Sequence, residues 1–486
     1  MNKSFKHLPQ NKRKKILLIC DDIRVHSGVA TVGKEIVLHT AHHFNWIQMG
    51  GAIKHPDTGK LFDISADVNK MQNIDDSSVK IFCTDQYGNE QILRSILKAE
   101  KPDAIMLITD PRYFTYIWAM ENEIRKICPI TYLNIWDDYP APMYNEPFYR
   151  ACDLLMGISK QTVNINKLVL DSRDNSKRVF KYVPHGLKHD GDESYIPLSE
   201  DDEGMLKYRK EFLNIKDNKE VDFVLFFNSR NIRRKQIPDA MMAFRSFLDS
   251  LPKEKADKCR FILHTEGSTD AGTDLYAVKE YLFDENYEKN IVFSHSKLPR
   301  QHLNYLYNIA DVQILLTSNE GWGLTITEAV LAGTPIIANV TGGMQDQMRF
   351  VDENGKWFTP SPEVPSNHRG TYKEHGEWAF PVYPTSRSIQ GSPPTPYIYD
   401  DRCKWEDAEA RIKECYELGR AELKRRGKVG REWFLGDEAG FTADHQAIRV
   451  MEAFTELFEV WEPRNDFDMV NATEYKGKFL NHKINY

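Results

Sequence analysis

A chain of 486 residues is too long for one domain at about 150 residues each, and its 41% hydrophobic and 28% charged residues supply more than one core, which excludes global disorder. The net charge of −7 lacks the basic excess that a nucleic-acid backbone demands, so nucleic acid is disfavoured as a bulk partner. The seven cysteines are odd in number and widely spaced, and no segment approaches 18 uninterrupted apolar residues; the chain reads as a reduced, cytoplasmic protein with no transmembrane segment.

From residue 15 onward, short apolar runs alternate with segments of helical period, the pattern of a parallel sheet covered by helices. Strands are expected at 15–20, 45–49, 79–83, 104–108, 130–135 and 153–158, with helices at 29–43, 90–99, 114–127 and 160–170. These make a first doubly wound domain over 1–185. The polar, acidic stretch 188–203 reads as a linker. A second alternation follows within 186–440: strands at 223–227, 260–264, 291–293, 312–316 and 335–339, with helices at 237–248, 274–283, 300–309 and 325–332. Residues 359–401 are rich in Pro, Gly, Ser and aromatics and carry neither period, so they read as a long ordered insertion. Helical spacing returns at 406–425 and 443–460, and the tail 463–486 is polar.

The richest chemistry lies at the end of the strand 312–316, where Ser318-Asn319-Glu320-Gly321-Trp322-Gly323-Leu324-Thr325 turns into a helix. Free backbone N–H groups at Gly323, Leu324 and Thr325, with the helix dipole behind them, suit a diphosphate. Glu328, a turn further on, suits a ribose diol, and Glu320 on the loop faces a sugar; alternatively Glu328 merely solvates a helix face. A second glycine turn, Thr341-Gly342-Gly343, opens at the same sheet edge, where α/β sheets bind ligands. The loop Arg230-Asn231-Ile232-Arg233-Arg234-Lys235 follows the first strand of the second domain. It is either a solvated basic loop or a clamp in which Arg230 and Lys235 hold a departing diphosphate.

The run Glu320-Gly-Trp-Gly-Leu-Thr-Ile-Thr-Glu328-Ala-Val-Leu-Ala-Gly-Thr-Pro-Ile-Ile-Ala-Asn-Val-Thr-Gly-Gly343 resembles the signature of the retaining GT-B glycosyltransferases of family four, the glycosyl transferases group 1. Arg230 and Lys235 match that family's arginine and lysine. Val183-Pro184-His185-Gly186 is similar to its interdomain junction, with His for Asn, and Ser27-Gly28-Val29 to its glycine loop near the donor phosphates. The resemblance implies two Rossmann-like domains facing a central cleft, with the last long helix, within about 441–462, crossing back to the first domain. It further implies transfer of a sugar, with retention and without a metal or other cofactor, from a UDP-, GDP- or ADP-linked donor to a hydroxyl acceptor. The acceptor stays open among glycans, lipid-linked glycans, small molecules and, less favoured, modified DNA bases; peripheral membrane contact also stays open.

One departure is Thr109, which stands where the family commonly has a His. The next residue, Asp110, either serves as base or orienting group toward the acceptor or simply caps the following helix. His39, His42 and His43, at i, i+3, i+4 spacing on a helix, could present two imidazoles but have no third ligand nearby, and Asp190/Asp192 and Asp466/Asp468 follow no strand, so no metal site is expected. A nucleotide-sugar epimerase or hydrolase, and a non-catalytic binding subunit, remain as alternatives.

Overall fold

Ile16, Leu17, Leu18, Ile19 and Cys20 are completely buried, the property of a central parallel strand covered by helices on both faces. In the computed structural model, which describes residues 5–170, 177–191, 193–295 and 297–464, they form the middle of β1 (Lys14–Asp21). Leu17 and Ile19 enter one core, and Ile16, Leu18 and Cys20 the other, as the two-residue strand period requires.

With β2 (Phe44–Ala52), β3 (Leu61–Asp63), β4 (Val79–Asp85), β5 (Ala104–Ile108), β6 (Ile130–Asn134), β7 (Leu154–Gly157) and β8 (Val179–Tyr182), β1 builds a sheet of order β3-β4-β2-β1-β5-β6-β7-β8. The short β3 runs antiparallel to β4. A second, parallel sheet contains β9 (Phe223–Asn228), β10 (Cys259–His264), β11 (Ile291–Ser294), β12 (Val312–Leu315), β13 (Ile336–Asn339) and β14 (Ala379–Val382), in the order β11-β10-β9-β12-β13-β14. Strand order reverses beside β1 and beside β9, and loops leaving the carboxyl ends there open a crevice. The two crevices face each other, so the fold is two doubly wound domains about a cleft.

The differences from expectation have local causes. The segment 114–127 is not one helix: a 3₁₀ turn, Pro111–Phe114, leads into the short helices Thr115–Ala119 and Glu121–Ile124, broken where Met120 leaves helical geometry. The strands β3 and β8 and the helices Ser65–Gln72 and Glu203–Leu213 were not expected; runs of three or four strand residues carry no readable period. The stretch 188–203 is no free linker, because Tyr195 is buried and the backbone N–H groups of Ile196 and Leu198 donate to Asn304 and Asn308. The helix read at 406–425 extends over Trp405–Leu435, interrupted at Gly419, whose φ of 74° no helix interior tolerates.

The insertion 359–401 is ordered structure. Its Ala379-Phe380-Pro381-Val382 is β14 on the sheet edge, where a proline is tolerated. Beyond it, β15 (Ser386–Ser392) and β16 (Thr395–Arg402) form a hairpin that straps the two domains together. Tyr399 N–H donates to Tyr139 O and Tyr144 O–H to Tyr397 O in the first domain (both 2.7 Å); Asp401 N–H donates to Ser318 O in the second (2.9 Å). At its root, Thr341 Oγ1 lies 2.9 Å from both Asp138 Oδ2 and Asp401 Oδ2. A hydroxyl has one proton to give. Burial and the neighbouring Asp401 push the pKa of Asp138 far up, whereas Arg387 holds that of Asp401 down despite its burial, so of the two Asp138 keeps a proton more readily.

The helix Ala443–Val460 crosses back to the first domain. Its buried stripe Ala447, Val450, Phe454 and Leu457 follows the helical period, with Phe454 edge-on to Phe44 at 5.6 Å and Asp444 paired to His39 at 2.8 Å. The chain thus passes between domains twice, at 183–187 and 436–442, and the crossings touch. Leu187 bridges Thr442 in parallel register, and a methyl group on Gly186 would lie 2.0 Å from Thr442 O. No described helix is long and apolar enough to cross a membrane. Phe454→Ala is expected to cost about 3–5 kcal/mol, read as an earlier urea midpoint followed by tryptophan fluorescence.

Candidate active site

The 3₁₀ turn Arg233–Lys235 after β9 carries two cations toward the loop after β12. Lys235 Nζ and Arg234 Nη1 both donate to Glu320 Oε2, the latter at 3.0 Å, and Arg234 also holds the Asn319 carbonyl. Facing two cations, the Glu320 carboxyl is held down at about 2 despite its burial. Lys235 loses more by burial than Glu320 returns, and its pKa falls. The loop then turns through Gly323, whose φ of 86° favours glycine, and starts the helix Leu324–Leu331, whose first N–H groups lack helical acceptors. Glu328 accepts from Tyr307 Oη at 2.6 Å and Asn228 Nδ2 at 3.4 Å. Burial raises its pKa, opposed by hydrogen bonds from Tyr307 and Tyr195. It therefore sits in a polar pocket rather than on a solvated helix face.

Across the cleft, the helix Gly28–Thr40 begins at Ser27, whose hydroxyl caps Ala30 N–H at 3.0 Å. A methyl group on Gly28 would lie 3.6 Å from Leu324 Cδ1, so two helix starts from different domains meet here. Beside them, Asp21 at the end of β1 accepts from Tyr87 Oη at 2.6 Å. The loop after β6 is flush with the Glu320 loop and its neighbour: a methyl group on Gly321 would lie 2.6 Å from Ile135 O and 3.2 Å from Asp137 Oδ1, and one on Gly342 would lie 3.1 Å from Asp137 O.

The structure therefore gathers Gly28, Lys235, Glu320, Gly323, Leu324, Thr325 and Glu328 around one cleft. Arg230 is exposed at the head of its loop, and its guanidinium has no hydrogen bond or ion pair among the described residues. Arg234, unread in the sequence as a site residue, is the one that joins Lys235 on Glu320. Asp110 caps the 3₁₀ turn Pro111–Phe114 through Arg112 N–H at 3.0 Å and pairs with the Arg112 guanidinium, the capping alternative of the two. Thr109 has a φ of 124°, backbone strain of a kind that collects at functional sites.

Asp192 and the pair Asp466/Asp468 lie outside the described residues. His39 pairs with Glu35 and Asp444. Among the described residues, Asp22, His55 and Cys83 cluster closely enough for a metal, but Arg24 already supplies the positive charge there, 2.6 Å from Asp22 Oδ2 and 3.0 Å from Cys83 Sγ.

Residues 209–364 match the family of glycosyl transferases group 1. The matched segment lies within the second domain, from the helix Glu203–Leu213 to beyond β13. No curated protein matches the chain by sequence. Among solved structures, Anabaena Alr3699/HepE in complex with UDP and glucose is similar with a TM-score of 0.61 at 14% identity, covering 91% of this chain and 100% of that one. A sucrose-phosphate synthase from Thermosynechococcus elongatus gives 0.60 at 15% identity, covering 92% and 100%. An alpha,alpha-trehalose-phosphate synthase (UDP-forming) from Burkholderia xenovorans, in complex with glucose-6-phosphate, gives 0.60 at 10%, covering 91% and 100%. The two domains thus share the GT-B fold with these structures.

Because Glu320 is held at about 2 against an ordinary value of about 4.3, its pairing stabilises the fold fully above pH 4.3 or so and is lost as the pH falls towards 2. Glu320→Gln is expected to be less stable than the native chain at pH 7, and the gap in urea midpoints to narrow across that window.

Proposed function

We propose that this protein transfers a sugar from a nucleoside diphosphate sugar to a hydroxyl acceptor, with retention at the anomeric carbon. The observation that carries the reading is the meeting of two helix starts, at Gly28 and at Gly323–Thr325, beside Lys235 and the Glu320 loop. A diphosphate held there takes N–H groups from both helices and the charges of Arg230 and Lys235. Lys235 then exchanges Glu320 for a phosphate, leaving Glu320 to accept from sugar hydroxyls. Glu328, set among Tyr307, Tyr195 and Asn228, is placed for the ribose diol.

The leaving diphosphate carries growing negative charge as the glycosidic bond breaks, and preorganised N–H groups and cations stabilise that charge without reorganising. These groups supply the countercharge, so the reaction is expected to proceed undiminished in EDTA. The acceptor hydroxyl approaches on the face the diphosphate leaves and passes its proton to a phosphate oxygen. Domain closure excludes the water that would hydrolyse the donor. The hairpin β15–β16 roofs the first-domain side, and its contact with Arg112, Tyr139 and Tyr144 makes it a candidate wall for the acceptor. UDP-glucose is the donor to try first, because Anabaena Alr3699/HepE is in complex with UDP and glucose and the trehalose-phosphate synthase is UDP-forming.

A second reading, a sugar-nucleotide-binding protein without turnover, draws on Asp110 being taken up by Arg112. Nuclear magnetic resonance of the protein with UDP-, GDP- and ADP-sugars separates the two: transfer predicts slow release of one sugar, first in the donor's configuration, whereas binding alone predicts stabilisation and silence. Lys235→Ala should lower kcat about 10²–10³-fold, the scale seen when one preorganised donor is removed. Glu328→Gln should raise the donor KM roughly tenfold or more, since a charge-assisted hydrogen bond contributes about 1.5–3 kcal/mol.

A further inference from the structure

The loop leaving β6 carries Asn134-Ile135-Trp136-Asp137-Asp138 into the cleft, and nearly every polar group in it is engaged within the protein. Asn134 Oδ1 accepts from Trp136 N–H, Trp136 Nε1 donates to Asp138 O, and the Asp138 carboxyl belongs to the Thr341–Asp401 latch. The Asp137 backbone carbonyl accepts from Gln161 Nε2. The Asp137 carboxylate is the exception: among the described residues it accepts no hydrogen bond and forms no ion pair, although it is only half exposed. A partly desolvated carboxylate without partners is costly, and this one rests against Gly321, next to Glu320.

Its charged surroundings come from three other loops: Arg234 and Lys235 after β9, Glu320 after β12 and Asp110 after β5. Burial, foremost, and the two carboxylates raise its pKa, while the two cations lower it. With Glu320 on the opposite wall, this part of the cleft presents two carboxylates from two domains. With Arg234 and Lys235 engaged on Glu320, the free carboxylate of Asp137 suits a neutral ligand rich in hydroxyl donors. In the transfer reading the phosphates draw on Arg230, Lys235 and the helix starts, which leaves the carboxylate pair for the transferred ring.

Resting on the glycosyl-transfer reading, we propose that Asp137 is a catalytic residue, accepting hydrogen bonds from hydroxyls of the transferred sugar and offsetting the positive charge that develops at its anomeric carbon. The bond from that carbon to the phosphate oxygen breaks, the bond to the acceptor oxygen forms, and the acceptor proton goes to the phosphate; Asp137 takes no proton and forms no bond.

The test uses the full chain with the donor on which the native protein turns over, comparing Asp137→Asn and Asp137→Glu. Asp137→Asn is expected to keep the thermal stabilisation by the nucleoside diphosphate, which lacks the sugar, while kcat falls at least 100-fold and the acid limb of the native pH–rate profile disappears. Asp137→Glu is expected to recover at least tenfold of that loss. A kcat within threefold of native for Asp137→Asn, or loss of nucleoside diphosphate binding by both variants, overturns the proposal. A native protein inert toward every sugar nucleotide it binds instead overturns the transfer reading, and this one with it.

Discussion

A glutamate carboxylate drawn out of water between a lysine and an arginine governs the second half of this molecule. Removing three charges from solvent is repaid only with good geometry, and Lys235, Arg234 and Glu320 have it because β9 and β12 are neighbours in the sheet. Their register sets the 3₁₀ turn 233–235 beside the loop 316–323. The ion cluster fixes that loop, the loop fixes the start of the helix Leu324–Leu331, and that start faces Gly28 of the other domain. It is also an exchangeable arrangement, since a second anion can take over the cations.

Closure of the two domains depends on backbone approach rather than on a large apolar interface between loops. Gly321 and Gly342 let the second domain's loops pass against the backbone carbonyls of Ile135 and Asp137, where a single methyl group would crowd the loops. Around this contact lie polar ties of a different kind: Asp138 with Thr341 and Asp401, and Lys160 N–H on Asp346 at 2.8 Å. The hairpin β15–β16 matters because it supplies Asp401 to the first tie, holding both domains from outside the sheets.

Much of this was legible in the sequence where burial makes strands continuously apolar. β5 and the helix Ala443–Val460 fall where the pattern puts them; of the residues singled out, Lys235 meets Glu320, while Glu328 lies apart against Tyr307 and Asn228. Arg234 was hidden because three consecutive cations in a 3₁₀ turn point about 120° apart, and sequence does not say which points inward. Asp137 was hidden for another reason: its neighbours are Trp and Asp in a loop with no motif, and its meaning arises only when Gly321, 184 positions onward by numbering, is brought against it. The hairpin escaped because its strands, mostly exposed and polar, show no apolar alternation. Asp22, His55 and Cys83 likewise come from separate strands and loops.

The paired crossings between domains carry a mechanical consequence. A single linker leaves two bodies free to swivel about each other. Here two segments, held side by side by Leu187 and Thr442 and pressed together at Gly186, pass between the domains at one edge of the cleft. Such a double strap opposes twisting, so that any opening after the hairpin's ties release is a jaw-like rotation about the line through the crossings. The two helix starts at Gly28 and Gly323 consequently separate and return along a single arc, so whatever they grip is met in the same orientation on every closure.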